Sequence, residues 1–266
     1  MYNEEKMKSK ILAGIFIILS MAIFAEEEEM KIIGGNNEIK TEEEYRIFGA
    51  PEGGDEQWKD EHSAKEFAKI VIAKEKFCSD MESVIGGLKI EVAYPEKEVN
   101  FDEFEQGRQH DLACVAKVNG TLSVLCFEAK ADESFGRKVG EELKDAENKL
   151  RKNENTNIPA RIQGLCKRLW NKTEITDDIK NLWYQLLYSA AGTISFAKEV
   201  NASKAYFVIY QIETKVTSKE KCDEHFAAVQ DFVKVFGKEI KKDEVCFLGK
   251  IDGIDLSIVF VQRKKS

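Results

Sequence analysis

Histidine is scarce in this chain. His62, His110 and His225 are the only three, which argues against a histidine-rich metal centre. The six cysteines stand singly, with no C-x-x-C pair. They do not read as a zinc site, and six in 266 residues are too sparse for a disulfide scaffold. Free buried thiols are the expectation. H-E-x-x-H, G-x-S-x-G and a phosphate-cradling glycine loop are all missing. No internal repeat and no linker divides the chain. Positive charge is in deficit, with 40 Lys and Arg against 48 Asp and Glu, a net of −8. That argues against coating nucleic acid or anionic membranes with the whole surface, and leaves a local basic groove open.

What is present allows one ordinary globular domain. Hydrophobic residues make up 43% of the chain, enough for a sizeable core. The N-terminal stretch stands apart. Lys6, Lys8 and Lys10 precede an apolar run at 11–25, followed by four glutamates. This has the form of a secretory signal with a cut after Ala25, and it is short for a membrane span. The competing reading is a mis-assigned start, with translation beginning at Met30. Residues 1–29 are therefore set apart, and 30–266 are expected to form a single α/β domain. The protein is exported or anchored if residues 1–25 are a genuine signal, and cytoplasmic if it starts at Met30.

The chain is organised around residues 111–130, DLACVAKVNGTLSVLCFEAK. Two apolar runs flank Asn119-Gly120, a strong signal for a two-residue hairpin turn. That turn sets Val118 opposite Thr121, Ala113 opposite Cys126 and Asp111 opposite Glu128. Side chains alternate along a strand, so Lys130 shares the face of Glu128. Cys114 and Cys126 fall on opposite faces and should not bridge. Both faces are mostly apolar, which suits central strands covered on both sides. Two carboxylates and an amine thus meet where a buried sheet emerges, a usual place for a ligand site. Carboxylates this close need a shared proton, a cation or wide solvation. His110, next to Asp111, is expected on the other sheet face, or at the mouth if the strand starts there.

Asp, a strand, then Glu-x-Lys resembles the core of the PD-(D/E)XK nuclease superfamily. The segments QWKDEHSAKEFA (57–68), HDLACVAKVNG (110–120), CFEAKADESFG (126–136) and WYQLLYSAAGTI (183–194) resemble a functionally uncharacterised bacterial branch of it, over residues 58–237. The resemblance implies a restriction-endonuclease-like mixed central sheet flanked by helices. It implies a metal-dependent nuclease acting on DNA or RNA, with Asp111 and Glu128 holding Mg²⁺, or Mn²⁺ in its place, and no small-molecule cofactor. Hard carboxylate oxygens suit that ion, the Ala129 carbonyl can add a ligand, and Lys130 would orient or deprotonate the water. Superfamily helices also imply a carboxylate before the core sheet and a Gln after it; Glu66 and Gln185 match those positions, with Tyr188 one turn from Gln185. Glu66 has another reading, as the partner of Ser63 in a capping box. The superfamily's Pro-Asp is here His110-Asp111.

Around this centre the pattern is mixed. Residues 36–61 read as loop with one short helix, and 63–77 as a helix. Residues 88–94 read as a strand and 95–109 as a loop. Asp132 continues the Glu128 face if the strand persists, and otherwise marks a turn. Residues 137–153 read as a helix. From Lys149 to Lys172 seven basic residues face one acidic, Glu154. Such a run is a solvated face or, so near the hairpin, a phosphate-backbone contact through Arg151, Lys152, Arg161, Lys167 and Arg168. Residues 182–200 form a long helix in which Ala190-Ala191-Gly192 permits close packing. Residues 205–212 read as a buried strand and 220–236 as an amphipathic helix. A second hairpin turns at Asp252-Gly253. Two further readings stand beside the nuclease: a non-catalytic nuclease-like fold that binds nucleic acid or protein, and an exported envelope protein of unrelated ligand, for which only residues 11–25 would touch a membrane.

Overall fold

The computed structural model describes residues 29–265 apart from 52, 53, 55, 56 and 105. The signal-like stretch at 1–28 lies outside the described residues. Among the described residues eight strands form one sheet: β1 (Lys31–Gly34), β2 (Asn37–Glu38), β3 (Leu88–Val99), β4 (Arg108–Val118), β5 (Thr121–Lys130), β6 (Lys204–Glu213), β7 (Val245–Ile251) and β8 (Ile254–Lys264). Their order is β2-β1-β3-β4-β5-β6-β8-β7. The β3-β4-β5 meander is antiparallel, and β5-β6-β8 run parallel. This is the mixed α/β sheet flanked by helices that the sequence implied.

Helices cover both faces, as a sheet apolar on both sides requires. One layer holds α1 (Glu42–Phe48), α2 (Ser63–Ile72) and α3 (Lys74–Val84). Phe67, Phe77 and Met81 pack there on Leu112, Leu125 and Phe127. The other holds α4 (Val139–Arg151), α5 (Ile158–Trp170), α6 (Asp177–Lys180), α7 (Tyr184–Glu199) and α8 (Lys219–Lys234). Ile162, Leu187, Ile194 and Phe232 pack there on Ala113, Cys126 and Phe207. Cys114 and Cys126 lie in different layers, and all six cysteines are free. No helix among the described residues is long and apolar enough to cross a membrane.

The central hairpin has the expected register: Val118 pairs with Thr121 and Ala113 with Cys126. Asn119 and Gly120 take φ of 51° and 76°, the left-handed pair that such a turn needs. The second hairpin repeats this at Asp252 (51°) and Gly253 (85°). Three boundaries differ from expectation. The run from Ser63 breaks at Ala73, where ψ is 58°, into α2 and α3. The N-cap of α2 is His62 without a side-chain bond, so Ser63 and Glu66 form no capping box. Strand β3 continues through Pro95 to Val99, where a loop was expected. Pro95 is tolerated because β1 pairs β3 only at Val92 and Ala93, which leaves no ladder partner for Pro95 on that side.

Candidate active site

The site begins with a slip in strand parity. Leu112 and Cys114 pack in the α1–α3 layer and Ala113 in the other. Simple alternation sends His110 and Arg108 with Leu112. Instead both lie against α7: a Cβ on Gly192 would stand 2.7 Å from His110 Nε2 and 3.2 Å from Arg108 Cβ. On β3, Tyr94 and Val99 differ in parity yet pack in the same layer. The β3–β4 ladder runs from Pro95–Leu112 to Lys97–His110, passing over Glu96 and Asp111. Glu96 there has a φ of 48°, strained for a non-glycine residue. His110 is thus fully buried on the α7 side rather than on the far face or at the mouth. Its ring nitrogens have no partner among the described residues, and burial, with Arg108 beside it, holds its pKa well below the usual value.

Asp111, left out of that ladder, turns its carboxylate to the neighbouring strand. Pairing of β4 with β5 stops at Leu112–Phe127, and Asp111 Oδ2 accepts from the Ala129 N–H at 2.6 Å. A side chain replaces the next ladder bond. Glu128 is buried beside it and saturated. Its Oε1 accepts from Lys130 Nζ at 2.8 Å and from Gln185 Nε2 at 2.8 Å. Its Oε2 meets the Arg108 guanidinium in a tight pair. Arg108 also lies over the Tyr188 ring, 5.3 Å from its centroid.

The charges sort themselves by neighbour. Burial pushes the Glu128 carboxyl up, but Arg108 and Lys130 outweigh it and hold the pKa below the usual value. Burial works to deprotonate Lys130, yet Glu128, Asp111 and Glu133 outweigh it and keep the amine charged. Asp111 is the exception: burial and the Glu128 charge drive its carboxyl up to about 7, against the pull of Arg108 and Lys130. Two carboxylates facing two cations make a neutral cluster. It opens into a cavity of about 340 Å³, lined also by Glu133, Ser63 and Ala64.

Among the described residues no group of three or more His, Cys, Asp or Glu could hold a metal. The donor set still fits one divalent cation. Asp111 lines the cavity, and burial with Glu128 beside it disfavours its charge, so a cation would relieve it as a proton does. Glu128 can join it only as Arg108 releases Oε2.

Asp111, Glu128, Lys130 and Gln185 are therefore brought together, with Tyr188 beside them through Arg108. Glu66 is not. It accepts from the Glu61 N–H at 3.0 Å, Lys69 Nζ at 3.2 Å and Lys265 Nζ at 2.9 Å, and it lines a separate cavity. Strand β5 ends at Lys130, so Asp132 sits in the bend after it. The basic run also divides. Arg161 is spent on Asp102 at 2.7 and 3.0 Å. Arg168 binds Asp252, Ser195 and the carbonyls of Phe101 and Ala191. Neither is free for phosphate. Arg151 leans on Glu147 at 3.5 Å, and Lys152 and Lys167 are exposed. Arg108 is the site residue that sequence reasoning missed: residues 95–109 read as a loop, whereas β4 already begins at Arg108 and the slip at Asp111 sets its side chain against α7.

Fold and site together define a mixed α/β protein with a buried carboxylate–cation cluster at the end of its central strands. The chain belongs to the family described as Domain of unknown function (DUF6946), whose profile matches residues 38–265. No curated protein and no solved structure matches it.

Proposed function

We propose that this chain is a metal-dependent phosphodiesterase of the PD-(D/E)XK nuclease kind, acting on nucleic acid. The observation that supports it best is the convergence of Asp111, Glu128, Lys130 and Gln185 on one cavity. Asp111 and Glu128 would hold a Mg²⁺ or Mn²⁺ ion. Such an ion, when bound, neutralises phosphoryl charge and supplies an attacking water at neutral pH. Lys130, held charged by Glu128, orients water and stabilises the developing negative charge; it is no base in this state. Gln185 fixes the Glu128 carboxylate. Arg108 lines the same cavity and, if released from Glu128, would meet a phosphate oxygen there.

The second reading is a non-catalytic nuclease-like scaffold. The saturation of Glu128 by Arg108, Lys130 and Gln185 favours it, since a closed cluster needs no ion. Purified full-length protein separates the two. Under the first reading it binds Mn²⁺ in calorimetry and cleaves plasmid, linear DNA or RNA with Mg²⁺ or Mn²⁺. Asp111→Asn and Lys130→Ala abolish cleavage, the former also removing Mn²⁺ binding. Asn at 111 keeps an acceptor for the Ala129 N–H, so a lost activity is not a lost fold. No Mn²⁺ bound and no substrate cut leaves the scaffold.

A further inference from the structure

A second cavity, of about 480 Å³, adjoins the first and shares Arg108 and Gln109 with it. Planar groups line it in sequence. The Arg108 guanidinium lies over Tyr188 at 5.3 Å. Tyr188 stacks near-parallel to Phe101, at 6.3 Å and 19°. Arg161 lies over Phe101 at 5.0 Å. Tyr184 stands edge-on to Tyr188 at 4.9 Å and 84°. Tyr184 is 8% exposed, and its hydroxyl has no partner among the described residues. A buried hydroxyl left without a partner costs free energy that a ligand acceptor or donor would recover.

Two carboxylates belong to the remaining lining. Glu98 and Glu142 face the cavity, while its arginines are paired with Glu128 and Asp102. A phosphate would meet carboxylates here. Aromatic rings, a buried hydroxyl and carboxylate acceptors suit a neutral heterocycle bearing amino groups. Proteins that bind single strands stack bases on aromatic rings and guanidinium planes, and carboxylates accept from base amino groups.

We propose that this cavity takes an unstacked nucleobase, one step from a phosphate at the cation that Asp111 and Glu128 would hold, so that the substrate is single-stranded nucleic acid. The inference rests on the phosphodiesterase reading for the position of that phosphate. Arg108, the wall common to both cavities, sets the two subsites side by side. A base inside a duplex cannot enter without leaving its stack.

Fluorescence anisotropy with the full chain, in EDTA so that no cleavage intervenes, tests it. The probes are a labelled short adenine strand, a stable abasic strand of equal length and charge, and the matching duplex. The adenine strand binds about tenfold tighter than the abasic one, the size expected for base stacking. Phe101→Leu keeps apolar volume and removes the π face; Tyr184→Phe keeps the ring and removes the hydroxyl. Each narrows the difference and leaves the abasic affinity unchanged. Equal affinity for both strands, a duplex bound as tightly as the single strand, or a difference that survives in both variants overturns the base pocket. Cleavage is then scored separately with Mn²⁺. An abasic strand cut as fast as the adenine strand sinks the base pocket alone. Base-dependent binding with no cleavage sinks the phosphodiesterase reading and leaves the pocket.

Discussion

Arg108 is the residue on which the site's balance turns. It is buried, paired with Glu128, and its own pKa is raised because the surrounding carboxylates and Tyr188 outweigh desolvation. Removing it leaves Glu128 buried with Lys130 as its remaining cation. Arg108→Ala is expected to cost about 3–5 kcal/mol, as for any broken buried pair. The double variant Arg108→Ala, Glu128→Gln should cost less than the sum of the singles, because no uncompensated charge remains. Urea midpoints of the four proteins check this. An additive cycle would mean that the pair is not coupled.

Among the elements, α7 decides how closely the site is held to the sheet. Gly192 is where it touches β4, and a methyl group there has no room beside His110 and Arg108. Gly192→Ala should destabilise the protein by about 1–3 kcal/mol. Under the phosphodiesterase reading it should also lower cleavage, since Gln185 rides on the same helix. Adding His110→Ala frees space for the methyl, so the double variant should recover part of the midpoint lost by Gly192→Ala. No recovery would place the strain elsewhere. The α5 helix has a different task from the one its charge suggested. Arg161 and Arg168 project from it and tie the loop between β3 and β4 to α7 and the second hairpin. Arg168→Ala should therefore loosen that loop, seen as faster amide exchange near Phe101, without changing the salt dependence of nucleic-acid binding.

Across the whole molecule, acid acts on the buried histidines and on Asp111 in opposite senses. Burial, with Lys130 nearby, lowers His225 to about 4. Its neutral form is favoured by the fold, so its contribution is complete above about 6.5 and is lost as pH falls toward 4. Asp111 is raised to about 7, so its contribution is complete below its ordinary range near 4 and is lost as pH rises through 7. Between pH 7 and 5 the two oppose each other. His225→Gln should make stability fall less steeply on acidification, and Asp111→Asn more steeply. Urea midpoints at pH 5, 6 and 7 check both slopes; parallel slopes in all three proteins would refute the opposition.

The hairpin, its register and the two-sided burial of its strands were legible along the chain alone. Those depend on local turn chemistry at Asn119-Gly120 and on the near-continuous apolar runs beside it. The sequence also placed Asp111, Glu128 and Lys130 together, because alternation along two short paired strands is reliable until something breaks it. Gln185 came to the site from the next long helix by resemblance alone, and Glu66 by the same route did not. What breaks alternation is tertiary. The slip at Glu96 and Asp111 moves Arg108 and His110 across the sheet, against α7 at Gly192. The fate of the basic run was likewise decided by packing: Arg161 and Arg168 found carboxylates and carbonyls contributed by distant segments. Charge counted along a chain cannot show which partners the fold will bring to it.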